Sequence, residues 1–384
     1  MLQDINDTNL PFGEKVIVFG GDFRQVLPVI QKSTKEQQID ASLARSHLWS
    51  SLTKIKLIEN MRSRLDPDFC RYLIEVGNSN EPITVKDMIK IPTEMLIQYN
   101  NDADSLNCLL EAIFKDISNY SNNLIEMTNR AILTPKNHSV DEINAIIVEK
   151  FPGDMVRYYS FDETIDTSEQ GVIENFLNTL TPSGLPPHEL LLKRNCPIML
   201  LRNINPSEGL CNSTRLICFG HHKGKRVFIP RIPFLPDINE NNGFPFKRTQ
   251  FSIKLSFAMT INKSQGQTLN SVGIYLPEPV FSHRQLYVAL SRAKTANSVK
   301  ILIRPTTIDN YEKNCNAYVK AIDPRHKIES HEYQWIINSR TIIENIEDDE
   351  PVLKAPEYNI IPFNELDAYK DTDSEIGNNY INNY

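Results

Sequence analysis

The most restrictive feature of the sequence is a strand, a helix and a second strand that follow one another between residues 271 and 304. The runs SVGIYL and SVKILIR are apolar and predict two strands. Between them, SHRQLYVALSRAK carries apolar residues at helical spacing, and Ser282 with Gln285 forms a capping box at its start. Two strands joined by one helix at this spacing form a βαβ unit, so the chain must contain a parallel strand pair with a right-handed crossover.

The same alternation of strands and helices occurs earlier in the chain. Residues 131–133 predict a strand, and Ser139 with Glu142 forms a second capping box before a periodic helix. Near the N-terminus, the continuous apolar run 16–19 predicts a parallel strand that is buried on both faces. DPDFCRYLIEVGN predicts a helix closed by Gly77. These elements place the chain in the α/β class.

The middle of the chain has a different sequence pattern from the α/β parts. Residues 176–250 contain short β-rich runs separated by Gly and Pro, which is typical of a small β-barrel inserted into an α/β body. Within this segment, TRLICFG and KRVFIPRI flank HHKGK and predict a hairpin with a basic tip. The tip is either a contact for a polyanion or a solvated turn; its residues are His221, His222, Lys223, Lys225 and Arg226.

Charge and cysteine content limit the class of protein. The whole chain has a net charge of −7, whereas residues 323–384 alone hold five basic and 14 acidic residues. The acidity therefore belongs to the tail, and 306–384 is expected to be largely disordered. Six cysteines without a CxxC pair indicate reduced thiols of a soluble intracellular protein. No apolar run approaches the ~20 residues of a membrane span.

Four short motifs carry residues suited to phosphate chemistry. GGDFRQ places Asp22 and Gln25 after a strand, where side chains point into a ligand crevice, although such an Asp is often only a turn cap. ENMRSR supplies Arg62, which is either a surface ion-pair partner or a cation for a transferring phosphoryl group. LYVALSRAK ends in Arg292, and the run FSIKLSFAMTINKSQGQTL ends an alternating apolar stretch in a dense polar tip.

In this order the motifs resemble those of superfamily-one DNA helicases, and among them the PIF-type family. FGGDFRQVLPVI, ENMRS, FAMTINKSQGQTL and QLYVALSRA resemble the third to sixth motifs of that family. LTPSGLPPHELLLKRNCPIMLLRNINPSEGLCNSTRL resembles its inserted domain. The resemblance covers residues 11–305, and the tail has no counterpart.

The resemblance implies RecA-like parallel sheets, the first one partial, with an inserted small β-barrel domain. Residues 1–125 would be the end of the first RecA-like domain plus a linker, 126–175 and 251–305 the second RecA-like domain, and 176–250 the insert.

The resemblance also implies a 5′-to-3′ helicase that uses ATP and magnesium on single-stranded DNA and DNA forks. It implies a monomer, located in the nucleus or in mitochondria, with no membrane partner. Gln25, Arg62 and Arg292 would be catalytic. Three residues would bind the nucleotide, Asp22, Gln265 and Gly266, and four would bind DNA, namely Thr260, Asn262, Lys263 and Ser264.

The sequence departs from the family pattern in two ways. It contains neither G-x-x-x-x-G-K-[ST] nor the following Asp-Glu pair for magnesium, so we expect an N-terminally truncated chain that is inactive alone. Ser213 and Arg284 also stand where the family usually has glycine. The alternative is a non-catalytic DNA-binding or interaction module, or a relic of a transposon helicase.

Overall fold

A computed structural model describes residues 2–305 with gaps at 10, 27–29, 31–33, 56, 58, 79–82, 86–87, 116, 119–123, 165–169, 183, 219–225, 237–244 and 281–283, together with 318–320 and 335–338. The helices are α1 Leu2–Ile5, α2 Lys35–Asp40, α3 Pro67–Asn78, α4 Asp102–Ile113, α5 Leu124–Thr128, α6 Asn137–Lys150, α7 Gln170–Thr179 and α8 Gln285–Leu290. The strands are β1 Ile17–Phe19, β2 Thr53–Ile55, β3 Ile83–Val85, β4 Met88–Lys90, β5 Arg130–Thr134, β6 Met155–Tyr159, β7 Phe161–Thr164, β8 Glu189–Lys193, β9 Pro197–Leu200, β10 Arg215–Ile217, β11 Arg231–Phe234, β12 Phe246–Phe251, β13 Ile253–Leu255, β14 Ala258–Thr260, β15 Ser271–Leu276, β16 Val299–Ile303, β17 Tyr318–Lys320 and β18 Trp335–Asn338.

A four-stranded parallel sheet in the order β14-β5-β15-β16 forms the centre of the fold. Because successive strand residues point to opposite faces, Ala131 and Leu133 join the core with α3 and α8, whereas Ile132 joins the core with α4 and α6. The sheet is therefore covered on both faces, and its β15-α8-β16 unit confirms the parallel pair predicted from the sequence. The α/β class with a parallel sheet is confirmed.

Gly273 shows why a glycine sits in the middle of a buried strand. A Cβ at this position would lie 2.9 Å from the side chain of Ile113 and 3.0 Å from that of Ile132. The missing side chain thus allows α4 to pack directly on β15.

A side-chain amide fixes the start of the sheet's edge strand. Asn144 of α6 accepts a hydrogen bond from the backbone N–H of Ala258 at 2.8 Å and donates to the carbonyls of Leu255 and Ala258 at 3.3 and 3.2 Å. These bonds lie where the chain leaves β13 and enters β14. The alternating run 251–257 is therefore not one strand: Phe251 ends β12, residues 253–255 form β13, and the chain then enters β14, so the run connects three sheets.

The segment between α6 and β14 forms three antiparallel sheets, namely β6-β8, β10-β9-β13 and β11-β12-β7. Among the described residues none of them closes into a barrel, so the inserted barrel is not seen. The predicted hairpin is wrong, because β10 pairs with β9 whereas β11 pairs with β12 in another sheet. Four of the five tip residues lie outside the described residues, and Arg226 is exposed.

The insert has its own buried ion pair. Arg248 and Asp162 are 0% and 1% exposed, and the Arg248 guanidinium donates to both Asp162 carboxylate oxygens at 2.7 to 3.1 Å. Its remaining donors bind the carbonyls of Leu177, Leu180 and Pro186. One guanidinium therefore joins β12, β7 and the end of α7, with its charge fully compensated.

Arg215 connects the insert to the central sheet. Its guanidinium donates to the carbonyls of Thr128, Arg130 and Ser256, the last two at 3.0 and 2.7 Å. Burial lowers the pKa of Arg215 to about 10, so it stays charged at neutral pH. The partners are carbonyl oxygens at or just before the starts of β5 and β14, so β10 is held to the parallel sheet by a half-buried cation.

Two further details differ from the sequence predictions. The helix α6 begins at Asn137, two residues before the predicted cap, and Ser139 is buried within its first turn, so the Ser139–Glu142 capping box is wrong. The strand β1 is partly exposed and pairs antiparallel with β18, rather than being a parallel strand buried on both faces. The prediction presupposed parallel neighbours on both sides, and the described residues do not supply them.

The C-terminal region is described at two places only. The strand β17 pairs antiparallel with β4, and β18 lies between β1 and β2. For the rest of 306–384 the expectation of disorder stays a prediction, because those residues lie outside the described ones.

Candidate phosphate-binding site

The loop after β1 forms a tight turn around Asp22. The backbone carbonyl of Asp22 accepts from the N–H of Gln25 at 3.0 Å, and its Oδ1 accepts from the N–H of Arg24 at 2.9 Å. The Gln25 side chain donates to Oδ2 at 3.4 Å. The two residues of the first motif therefore lie together, and the carboxylate acts in part as the turn cap that the sequence left open.

Tyr287 connects this loop to α8. Its hydroxyl donates to Asp22 Oδ2 at 3.2 Å across 265 residues of sequence. Burial, and then the Asp22 charge, raises the pKa of Tyr287, so the hydroxyl remains a proton donor. The aromatic ring also lies against Gly77 of α3, where a Cβ would come within 2.9 Å of it.

Arg62 extends across the same cleft. Its Nε donates to Thr268 Oγ1 at 3.0 Å, and its Nη1 donates to the carbonyl of Ser291 at 2.7 Å. Burial lowers its pKa, which Tyr287 and Asp22 partly oppose. Two of the three guanidinium nitrogens are thus fixed, and Nη2 has no hydrogen-bond partner among the described residues.

Arg292 is far more enclosed, at 1% exposure. Its Nε donates to Val288 O at 2.9 Å, Nη1 to the carbonyls of Ser264 and Gln267 at 3.3 Å, and Nη2 to Ser291 Oγ at 2.7 Å. Burial, followed by the neighbouring Arg62, lowers its pKa to about 10. Each guanidinium nitrogen of Arg292 thus has a protein partner, and of its five N–H groups one on Nη2 has no partner among the described residues.

The residues of the polar tip divide into inner and outer positions. Gln265 and Gly266 are exposed, and Gly266 has a φ of 83° that permits the turn. Ser264 is buried and donates to the carbonyl of Ile261 at 2.7 Å. Asn262 and Thr260 are half-buried, and Asn262 accepts from Gln285 at 3.4 Å.

Lys263 is the titratable group of this tip. It lies in the turn Ile261–Ser264 directly after β14 and is half-buried. Burial, and then the charge of Lys254, lowers its pKa to about 8, whereas Asp141 opposes the shift. A cation with so low a pKa gains from an anionic neighbour, because the neighbour offsets the cost of burying charge.

Both positions at which the sequence lacks an expected glycine have left-handed backbone. Ser213 has a φ of 71° and Arg284, at the N-cap of α8, has a φ of 65°. L-residues at such angles cost about 1–2 kcal/mol. Both residues therefore occupy backbone conformations that favour the glycine of the family pattern.

Several residues of the cleft were not selected from the sequence. Tyr287 was quoted within its motif but given no role, and Thr268 and Ser291 were passed over. Their parts depend on contacts across more than 200 residues, which no local pattern shows. Arg24 and Arg284 carried a local signal, since both are basic residues within phosphate-type motifs.

The cleft has more positive than negative charge. Asp22 is the carboxylate that interacts with Arg62, Arg284 and Arg292, and Arg24 lies beside Arg284. This excess of positive charge in the cleft is suited to an anionic ligand with several oxygen atoms. Within the described part of the chain no three carboxylate, histidine or cysteine side chains form a cluster that could hold a metal ion. No helix there is long and apolar enough to cross a membrane.

Two family models match this chain. One, described as PIF1-like helicase, matches residues 1–82, and the other, described as DNA helicase Pif1, 2B domain, matches residues 175–220.

Curated relatives carry the same name. The ATP-dependent DNA helicase PIF1 of Xenopus laevis is 25% identical over 311 residues, covering 76% of this chain and 41% of that protein. The protein of that name from Rattus norvegicus is 34% identical over 173 residues, covering 42% and 25%. The chain thus spans about two fifths, or less, of the length of these relatives. The crystal structure of Pif1 helicase from Candida albicans aligns with a TM-score of 0.46 at 20% identity, covering 81% of this chain and 68% of that one.

Proposed function

Because this chain belongs to the PIF1-like helicase family, we propose that it is the C-terminal portion of an ATP-dependent DNA helicase. The proposed enzyme moves 5′ to 3′ along single-stranded DNA, works at forks, acts as a monomer and resides in the nucleus or in mitochondria. The names of the relatives support the reaction class, since they are called ATP-dependent DNA helicases.

One observation carries the proposal, namely that four motifs far apart in sequence meet in one cleft. Asp22 and Gln25 come from the first motif, Arg62 from the second, and Arg292 from the last, and Tyr287 and Ser291 join them by hydrogen bonds. Residues 260–267 border the cleft through Arg292. A cleft lined in this way fits the terminal phosphate of a nucleotide.

In this reading Arg62 stabilises the charge that develops on a transferring phosphoryl group. Thr268 and Ser291 fix two of its nitrogens, so the guanidinium is oriented before the ligand arrives. The remaining Nη2 donates to the phosphate. Gln25, held by Asp22, orients the attacking water.

Arg292 couples phosphate binding to the DNA-facing turn. Its Nη1 holds the carbonyls of Ser264 and Gln267, which bracket Gln265 and Gly266. If Arg292 exchanges one of these bonds for a phosphate, the turn that carries Lys263 loses a support. Phosphate contacts from Thr260, Asn262 and Lys263 would fix the register of the DNA without reading its sequence.

ATP binding also needs a glycine-rich phosphate loop and ligands for magnesium, which supplies charge neutralisation when bound. The sequence contains no G-x-x-x-x-G-K-[ST], and the described residues hold no suitable cluster for a metal. We therefore propose that these groups come from outside the 384 residues and that these residues alone do not turn over ATP.

The test compares the 384-residue chain with a version extended along its upstream reading frame. The extended protein should show DNA-stimulated ATPase activity, and Arg62→Ala should lower kcat by roughly 10³-fold while retaining oligothymidylate affinity. Arg45→Ala removes an exposed arginine that pairs with Asp40 and serves as the control. Normal turnover in Arg62→Ala removes that residue from the site, and ATP turnover by the 384 residues alone refutes the proposed inactivity.

A second candidate function is a DNA-binding module without catalysis. The observation that favours it is that the turn with Lys263 is held by contacts within these residues, above all by Arg292. Stop codons upstream, together with salt-sensitive oligothymidylate binding by the 384-residue chain, would select this function over the first.

A further inference from the structure

Arg284 occupies a backbone conformation that is costly for its residue type. It precedes α8 with φ 65° and ψ 5°, in the left-handed region. An outlier of this kind persists only where the surroundings fix it, and such outliers cluster at ligand-binding positions. No hydrogen bond from its side chain to the described residues offsets the cost.

The Arg284 side chain is half-buried but unsatisfied. Its Nε is shielded from solvent and has no hydrogen-bond partner among the described residues. Its titratable neighbours are the carboxylate of Asp22, the guanidinium of Arg24 and the neutral hydroxyl of Tyr287, and burial lowers the pKa of Arg284. A guanidinium with a buried donor that is left without an acceptor carries a free-energy penalty, which a ligand oxygen would remove.

The nearby carboxylate of Asp22 accepts from three other donors and makes no hydrogen bond with Arg284. Asp22 already accepts hydrogen bonds from the Arg24 N–H, the Gln25 side chain and the Tyr287 hydroxyl. The same carboxylate faces Arg62 and Arg292 as well as Arg284. The cleft therefore retains a surplus of positive charge with donors still available.

We propose that Arg284 is a phosphate-binding residue of this cleft, additional to Arg62 and Arg292, which donates to the terminal phosphate of a nucleoside triphosphate. The assignment rests on the proposed function for the location of the ligand. It concerns a residue that replaces glycine, so it gives this chain a contact that the family pattern does not contain. The shared chemistry is a phosphate oxygen, which a nucleotide or a DNA backbone could supply.

The experiment measures binding of inorganic tripolyphosphate and of oligothymidylate to the 384-residue chain by calorimetry at low salt. The variants are Arg284→Gly and Arg284→Asn, both of which tolerate left-handed backbone, and Arg157→Ala as the control. Arg157 is an exposed arginine paired with Glu189, so its loss changes net charge by the same amount.

We expect both Arg284 variants to bind tripolyphosphate at least tenfold more weakly, with oligothymidylate affinity unchanged. We expect Arg284→Gly to melt at the wild-type temperature or above it, because glycine relieves the strained backbone. Weaker binding by a protein of equal or higher stability cannot be attributed to damaged folding.

Three results would overturn the assignment. They are equal tripolyphosphate binding by wild type and Arg284→Gly, a loss no larger than in Arg157→Ala, or a loss confined to oligothymidylate. Absence of tripolyphosphate binding in the wild type also overturns it. The oligothymidylate affinity of that same wild-type sample then reports separately on the proposed function.

Discussion

Raising the pH from 7 to 9 should weaken single-strand binding through Lys263 alone. The pKa of this residue is lowered to about 8 by burial and by Lys254. The protonated fraction of a group with this pKa is ~0.9 at pH 7 and ~0.1 at pH 9. If only the ammonium form contacts a DNA phosphate, affinity should fall by about tenfold over this range.

The same shift changes stability in the opposite direction. A lysine with an ordinary pKa in the unfolded chain holds its proton longer than folded Lys263, so the unfolded state binds more protons between about pH 8 and 10.5. The contribution of this residue to the free energy of unfolding therefore rises with pH across that window. Weaker DNA binding at pH 9 therefore cannot be explained by a loss of folding stability caused by deprotonation of Lys263.

Fluorescence anisotropy with oligothymidylate at constant ionic strength, at pH 7, 8 and 9, measures the effect. Lys263→Ala should bind weakly with a flat profile. Lys254→Ala removes a repelling charge and should move the transition to higher pH. Lys247→Ala removes a lysine that pairs with Glu163 and should keep the wild-type profile. A flat wild-type profile, or an unchanged drop in Lys263→Ala, would refute the reasoning.

Three further predictions concern stability, each measured by urea denaturation. Arg248→Met should lower the free energy of unfolding by about 3–5 kcal/mol because it leaves Asp162 buried without its ion-pair partner. Adding Asp162→Leu should restore much of that loss. Additive losses in the double variant would contradict this. Gly77→Ala should lower the free energy of unfolding by about 1–3 kcal/mol, since the new Cβ would lie 2.6 Å from the Arg24 side chain and 2.9 Å from the Tyr287 ring, and wild-type stability would show that both side chains move aside freely. Ser213→Gly should stabilise by up to about 1 kcal/mol through its left-handed φ, and a loss would show that the hydroxyl matters more than the backbone.

The central sheet could be predicted from the sequence because its strands are short apolar runs with clear boundaries. The predicted strand 131–133 is extended by one residue at each end, and SVGIYL matches β15. The helix start near Ser139 was wrong because S-x-x-E also occurs inside helices, where the serine is not a cap. The hairpin failed because strand pairing in the insert is decided by partners outside the local segment.

The candidate site could be predicted as a set of motifs but not as a set of contacts. Asp22 and Gln25 lie together because they are three positions apart in one turn. By contrast, the enclosure of Arg292 by backbone carbonyls follows from how α8 packs beside the turn Ile261–Ser264. Local sequence supplies no information on that packing.

The half-buried cation of Arg215 has a mechanical consequence for the helicase proposed above. Its guanidinium donates to backbone carbonyl oxygens at the starts of both β5 and β14. A load applied to the insert would therefore be transmitted to β5 and β14, and β14 leads into the turn Ile261–Ser264 beside Arg292. We expect the insert and the central sheet to move as one body. A neutral residue at position 215 should weaken the connection between them.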